Sequence, residues 1–189
     1  MRKTVYLAMV LATMASVATD TASLLGEARS KAASEDVPKS VSSYVHEQLP
    51  GLSILKKEST SSDVVRYLTM KKVKQSSPFM CSGDFNGDGL KDVALLLKDE
   101  ARKGFTLLVL HRTDKHSFRH VVVEELADIT EPDQKIHLYL LCEKPGMRRQ
   151  VEGAVLRTTN DSITLGYYGK ASSLYYWGKT SYMKVVIGD

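Results

Sequence analysis

The sequence predicts an α+β domain: two short N-terminal helices followed by a predominantly antiparallel β-sheet or small sandwich. Apolar residues recur at helical spacing up to about Lys72. From Phe79 onward the texture changes to short β-branched and aromatic runs separated by turn residues. The length of 189 residues, with 43% hydrophobic and 25% charged side chains, suits one ordinary folded domain. Disordered, collagen-like and disulfide-dense classes are thereby excluded.

The elements follow in order. Residues 1–18 have the layout of a secretory signal peptide: basic Arg2 and Lys3, an apolar stretch Val5–Val17, and small residues at Ser16 and Ala18 for cleavage near Ala18. The alternatives are a membrane anchor or a buried helix, but an apolar run of about 13 residues is short of the ~20 a helical span needs. The mature chain carries no second run of membrane length. The expected destination is secreted or periplasmic. Residues 19–35 are small and polar and read as a leader, leaving 36–189 as a single domain.

Val37, Val41, Tyr44, Val45 and Leu49 lie at helical spacing, with Ser34 or Asp36 as cap, Pro38 in the first turn and Pro50-Gly51 as stop. Leu52–Leu55 reads as a short strand. Ser61-Ser62-Asp63 caps a second helix running to about Lys72, with Val64, Val65 and Leu68 facing inward. Val93–Leu97 is a continuous apolar run and reads as a central strand. Three hairpins are expected: Phe105–Arg112 with Ser117–Val123, Val151–Thr158 with Ser162–Tyr168, and Leu174–Trp177 with Thr180–Ile187. Ile136–Cys142 is a further strand.

Chemistry concentrates in 84–92. Asp84, Asn86, Asp88 and Asp92 place side-chain oxygens at positions 1, 3, 5 and 9 of a loop, with Gly89 at position 6 for the sharp bend and Leu90 at position 7 offering its carbonyl. Calcium takes six to eight oxygen ligands, and a tight loop presents alternate side chains to one ion. Magnesium and zinc suit this donor set less well. The alternative is a solvated Asp/Asn/Gly turn. Position 12 is Leu95, so the bidentate Glu of an EF-hand is missing, and Asp92 is the candidate to replace it.

The run Ser82-Gly-Asp-Phe-Asn-Gly-Asp-Gly-Leu-Lys-Asp-Val-Ala-Leu95 resembles the calcium loop of FG-GAP and VCBS-type repeats, which passes from one strand through the ion site into the next. The resemblance implies Ca²⁺ as cofactor and Asp84, Asn86, Asp88, Asp92 and the Leu90 carbonyl as ligands. It covers one loop, whereas propellers repeat the loop in each of several blades. The adhesive role of propeller members is therefore not implied. The ending Leu174-Tyr-Tyr-Trp-Gly-Lys resembles the close of small exported proteins with a single such loop.

Export makes Cys81 and Cys142 a candidate disulfide, the alternative being two buried thiols. If Asp114-Lys115 forms a two-residue turn, His111 and His120 fall on one face as diagonal neighbours, where they either share a metal or are merely polar hairpin residues. Tyr167, Tyr168, Tyr175, Tyr176, Trp177 and Tyr182 offer either a binding platform or cross-strand packing, and alternation sends Tyr175 and Trp177 to one face and Tyr176 to the other. No nucleophile, zinc-protease or phosphate-loop motif occurs. The net charge of +4 is too small to point to nucleic acid. The expected function is an exported, non-enzymatic calcium-binding module that binds a protein or glycan in the envelope or outside the cell. A secreted hydrolase supported by calcium is the alternative.

Overall fold

A computed structural model describes residues 37–115, 117–127, 135–149 and 153–187. The signal-peptide and leader segments, the Ser34 and Asp36 caps, His116 and the start of the strand expected from Val151 lie outside them. Residues 37–189 fall in one compact unit.

The α+β expectation is corrected: the fold is sheet-dominated, 48% strand and 16% helix, with antiparallel sheets throughout. The reason is one of proportion. Helices α1 (Lys39–Gln48) and α2 (Ser62–Met70) stand where the sequence places them, but they form no layer equal to the sheets. Strands β1 (Leu52–Ile54), β2 (Met80–Gly83), β3 (Asp92–Asp99), β4 (Gly104–Arg112) and β5 (Phe118–Leu126) make the first sheet. Its order is β1-β3-β4-β5, and β2 pairs with β3 beyond the end of β1: Leu52–Ile54 meet residues 97–99, Met80–Gly83 meet residues 92–95. The second sheet has the order β11-β10-β9-β6, from β6 (Leu138–Glu143), β9 (Ser162–Tyr167), β10 (Ser172–Trp177) and β11 (Tyr182–Ile187). A separate ribbon pairs β7 (Gly146–Arg149) with β8 (Val155–Thr158).

Two apolar cores result. Ala94, Leu96, Leu107 and Val109 of the first sheet meet Leu138, Leu140, Ile163 and Tyr175 of the second. On the opposite face Val93, Leu95, Leu97, Leu108 and Leu110 are covered by Val41 and Val45 of α1 and by Leu49 just after it. This explains the unbroken run Val93–Leu97: a strand buried on both faces has no polar side to alternate with. Between Leu107 and Leu108 the β4–β5 register shifts by a bulge.

Ser61 caps α2 by accepting the Val64 N–H at 3.3 Å. Val64 is buried as expected, but Val65 is 52% exposed, so the inward face of α2 is narrower than its sequence suggests. Cys81 of β2 and Cys142 of β6 form a disulfide with Cα atoms 5.6 Å apart, tying an edge of one sheet to an edge of the other. No helix among the described residues is long and apolar enough to cross a membrane.

The second expected hairpin is corrected. Residues 155–158 pair with β7, while β9 pairs with β6 and β10. The turn between them, read as a simple hairpin turn, is held instead by the 84–92 loop, as described next.

Candidate functional site

The loop connects β2 to β3, and its side chains are oriented by its own main chain. Asp84 accepts the Gly87 N–H through Oδ1 at 2.8 Å and the Gly89 N–H through Oδ2 at 2.9 Å. Asn86 Oδ1 accepts from the Asp88 N–H at 3.1 Å, and its Nδ2 donates to Asp88 Oδ2 at 2.8 Å. Asp88 Oδ1 accepts the Leu90 N–H at 2.8 Å. Gly89 has φ +82, a left-handed conformation that side chains resist, which accounts for glycine at the bend.

Asp92, the remaining side-chain candidate, is engaged differently from the other three. It is fully buried at the head of β3. Its Oδ2 accepts from the Phe85 N–H at 3.2 Å and from His111 Nδ1 at 2.9 Å, and its Oδ1 accepts the Arg112 N–H at 2.9 Å. A carboxylate offers about four acceptor sites, so about one remains, on Oδ1. Asp92 therefore shares its carboxylate among three protein donors. Among the described residues no group of three or more His, Cys, Asp or Glu is placed to hold a metal ion. The donors the loop carries are oxygen-only: the Asp84 and Asp88 carboxylates, the Asn86 amide, bonded to Asp88, and the Leu90 carbonyl. Asp84 and Asp88 keep acceptor capacity beyond the loop bonds, and the chemistry of the set suits a hard cation.

Two residues that sequence reading missed dock this loop. Asp161 is 7% exposed; its Oδ2 accepts the Asp84 N–H at 3.0 Å and the Lys144 ammonium at 2.9 Å, and its own N–H donates to the Asp84 carbonyl at 3.1 Å. Asn160 Nδ2 donates to the Phe85 carbonyl at 3.4 Å. A Cβ on Gly83 would stand 2.6 Å from Asp161 Oδ2, so this close approach requires glycine. Asn-Asp at a strand break carries a turn signal, and nothing in that signal distinguishes a turn from a docking contact.

Behind the loop, His111 joins both sheets. Its Nδ1 faces Asp92 and its Nε2 lies 3.3 Å from the Tyr182 hydroxyl of β11. Tyr182 stacks on the imidazole with centroids 5.8 Å apart, and Trp177 meets it edge-on at 5.2 Å. Burial, with the Asp92 charge adding to it, pushes the Tyr182 phenol far above its usual range. The expected pairing of His111 with His120 is corrected. His111 stands opposite Arg119 and His120 opposite Leu110, one residue away from the assumed register. A one-residue slip reverses faces. His111 therefore enters the sandwich while His120 meets Tyr44 of α1, with Nδ1 3.0 Å from the hydroxyl. The aromatic residues form no single platform: Tyr175 is buried in the core, Trp177 and Tyr182 enclose His111, and Tyr168 packs on Tyr67.

A cleft of about 880 Å³ opens beside the loop, lined by Lys74, Ser82, Asp84, Lys91, Cys142, Lys144 and Asp161 among others. Comparison of the chain with protein-family models, curated proteins and solved structures gave no match.

Proposed function

We propose that this protein is an exported β-sandwich module, steadied by one calcium ion in the 84–92 loop, that works by binding a partner rather than by catalysis. The observation that carries the reading is the loop itself. Three oxygen-bearing side chains, Asp84, Asn86 and Asp88, are held in one turn by the N–H groups of Gly87, Asp88, Gly89 and Leu90. Such preorganisation lowers the cost of gathering like charges around an ion. The ion would be held by these three side chains and the Leu90 carbonyl, with Asp92 limited to its remaining acceptor site. When bound it neutralises the loop carboxylates. Everything else is done by the chain: Asp161 and Asn160 hold the loop against the second sheet, and Asp92 ties it to His111. The Cys81–Cys142 disulfide suits an oxidising compartment and supports export.

Binding is favoured over hydrolysis by the state of the acids in the cleft. Asp84 is occupied by loop amides, Asp161 by the Asp84 N–H and Lys144, and Glu143 by Arg148 and Thr164. These bonds tie the acids into the loop and its neighbouring strands, which suits a rigid binding surface. Isothermal titration of the purified chain with calcium tests the reading: one site in the range of about 10⁻⁴–10⁻³ M is expected, lost in Asp88→Ala. Absence of heat in the wild type, or equal binding by the mutant, contradicts it.

A further inference from the structure

The cleft beside the loop lies between two strand edges that leave main-chain groups unused. In β6, the Tyr168 N–H bonds the His137 carbonyl across the β9 side, whereas the Leu140 N–H bonds Pro78 and the Leu140 carbonyl accepts from Gln75 on the other side. Alternation along an antiparallel strand then turns the N–H and carbonyl of Cys142 to the side away from β9. In β2, the Phe79 carbonyl accepts the Leu96 N–H of β3, and the Met80 N–H turns away to Ser77. The same alternation turns the Ser82 N–H and carbonyl away from β3. Both Ser82 and Cys142 line the cleft, but the disulfide holds their strands with the Cys81 and Cys142 Cα atoms 5.6 Å apart, too close for a third chain to pair with both, so the exposed Ser82 edge is the one open to a partner.

The charges lining the cleft divide in a telling way. Its acids are occupied, as set out above, and Lys144 is held by Asp161. Lys74 and Lys91 are exposed at its margin and line it without a carboxylate partner among the described residues. Unused strand edges recruit extended chains, and unpaired cations select anionic ones.

We infer that this cleft takes an extended acidic peptide, bonded through its main chain to the outer edge of β2 at Ser82 and through its carboxylates to Lys74 and Lys91. The inference rests on the reading of the domain as a binding module and names the class of its partner.

The test is fluorescence anisotropy of a labelled peptide of alternating Glu and Val, titrated with the full chain. Saturable binding is expected, with at least a tenfold preference over a peptide of alternating Lys and Val. Lys74→Glu and Lys91→Glu should each weaken it about fivefold, the scale of one exposed charge pair. Lys39→Glu, on α1 and outside the cleft, should leave it unchanged. N-methylation of alternate peptide amides should weaken it at least tenfold. Absence of saturable binding, equal loss in Lys39→Glu, or undiminished binding of the N-methylated peptide overturns the inference. Calcium titration of the same preparation separates the two readings. A chain that binds calcium but not the peptide overturns the cleft inference alone; one that binds neither overturns both; one that binds the peptide without calcium supports the cleft and overturns the loop.

Discussion

Asp92 and His111 face each other across the β3–β4 pair, Oδ2 to Nδ1 at 2.9 Å, with side chains 0% and 2% exposed. One carboxylate thereby serves the loop at Phe85, the neighbouring strand at Arg112, and, through His111, Tyr182 of the second sheet. Asp92 is thus a junction between loop and sandwich.

Asp92→Ala strips three donors of their acceptor at once, in a place that water does not reach. Stability should fall by about 3 kcal/mol or more, since each buried donor left unpaired costs about 1–3 kcal/mol. Urea unfolding measures this directly. A loss below about 1 kcal/mol would show that the junction is not stabilising.

Tyr182 should weaken the fold at alkaline pH. Its phenol is held neutral in the fold by burial, with the nearby Asp92 charge adding to the effect. The unfolded phenol ionises near pH ~10. The folded value is raised, so this contribution is fully present below pH ~10 and is lost as pH rises above it, at about 1.4 kcal/mol per pH unit. Tyr182→Phe should flatten that part of the slope in denaturation measured between pH 9 and 11.5. An unchanged slope would place the alkaline sensitivity elsewhere.

Local signals in this sequence were more legible than pairing. The helix spacing of Val41 and Val45, the Ser61 cap, the apolar run Val93–Leu97 and the β10–β11 hairpin all rest on neighbours in sequence, and the structure has them. The α+β expectation fails because two helices counted in sequence do not make a layer in space; among the described residues, α1 with Leu49 covers one face of the first sheet. The 155–158 segment was misassigned because adjacency favours a hairpin, whereas Asn160 and Asp161 take their partners from a loop 75 and 77 residues away. His111 was misplaced because the register of β4 and β5 depends on a turn whose length a sequence does not fix. In the loop, the presence of oxygen donors is readable; the commitment of Asp92 to His111 is not, since it depends on the register of β3 against β4, set by a separate connection.

The disulfide joins residues separated by 61 positions and staples the two sheets along one side. In the chain-entropy model such a loop is worth about 4 kcal/mol. Reduction, or Cys81→Ala with Cys142→Ala, should lower the unfolding free energy by an amount of that order, read by guanidinium denaturation with and without reductant. Near-identical curves would mean that the reduced unfolded chain is already compact.

The central claim is that the 84–92 loop is a calcium site supported by the sandwich. Thermal unfolding of the chain in excess EGTA and in 10 mM calcium, beside Asp88→Ala, tests it most directly. A site of ~10⁻⁴–10⁻³ M should raise the wild-type midpoint by roughly 3–10 °C through linkage and leave the mutant unmoved. A wild-type midpoint that does not respond to calcium, or a mutant that shifts equally, would contradict the account and leave the loop as a hydrogen-bonded turn.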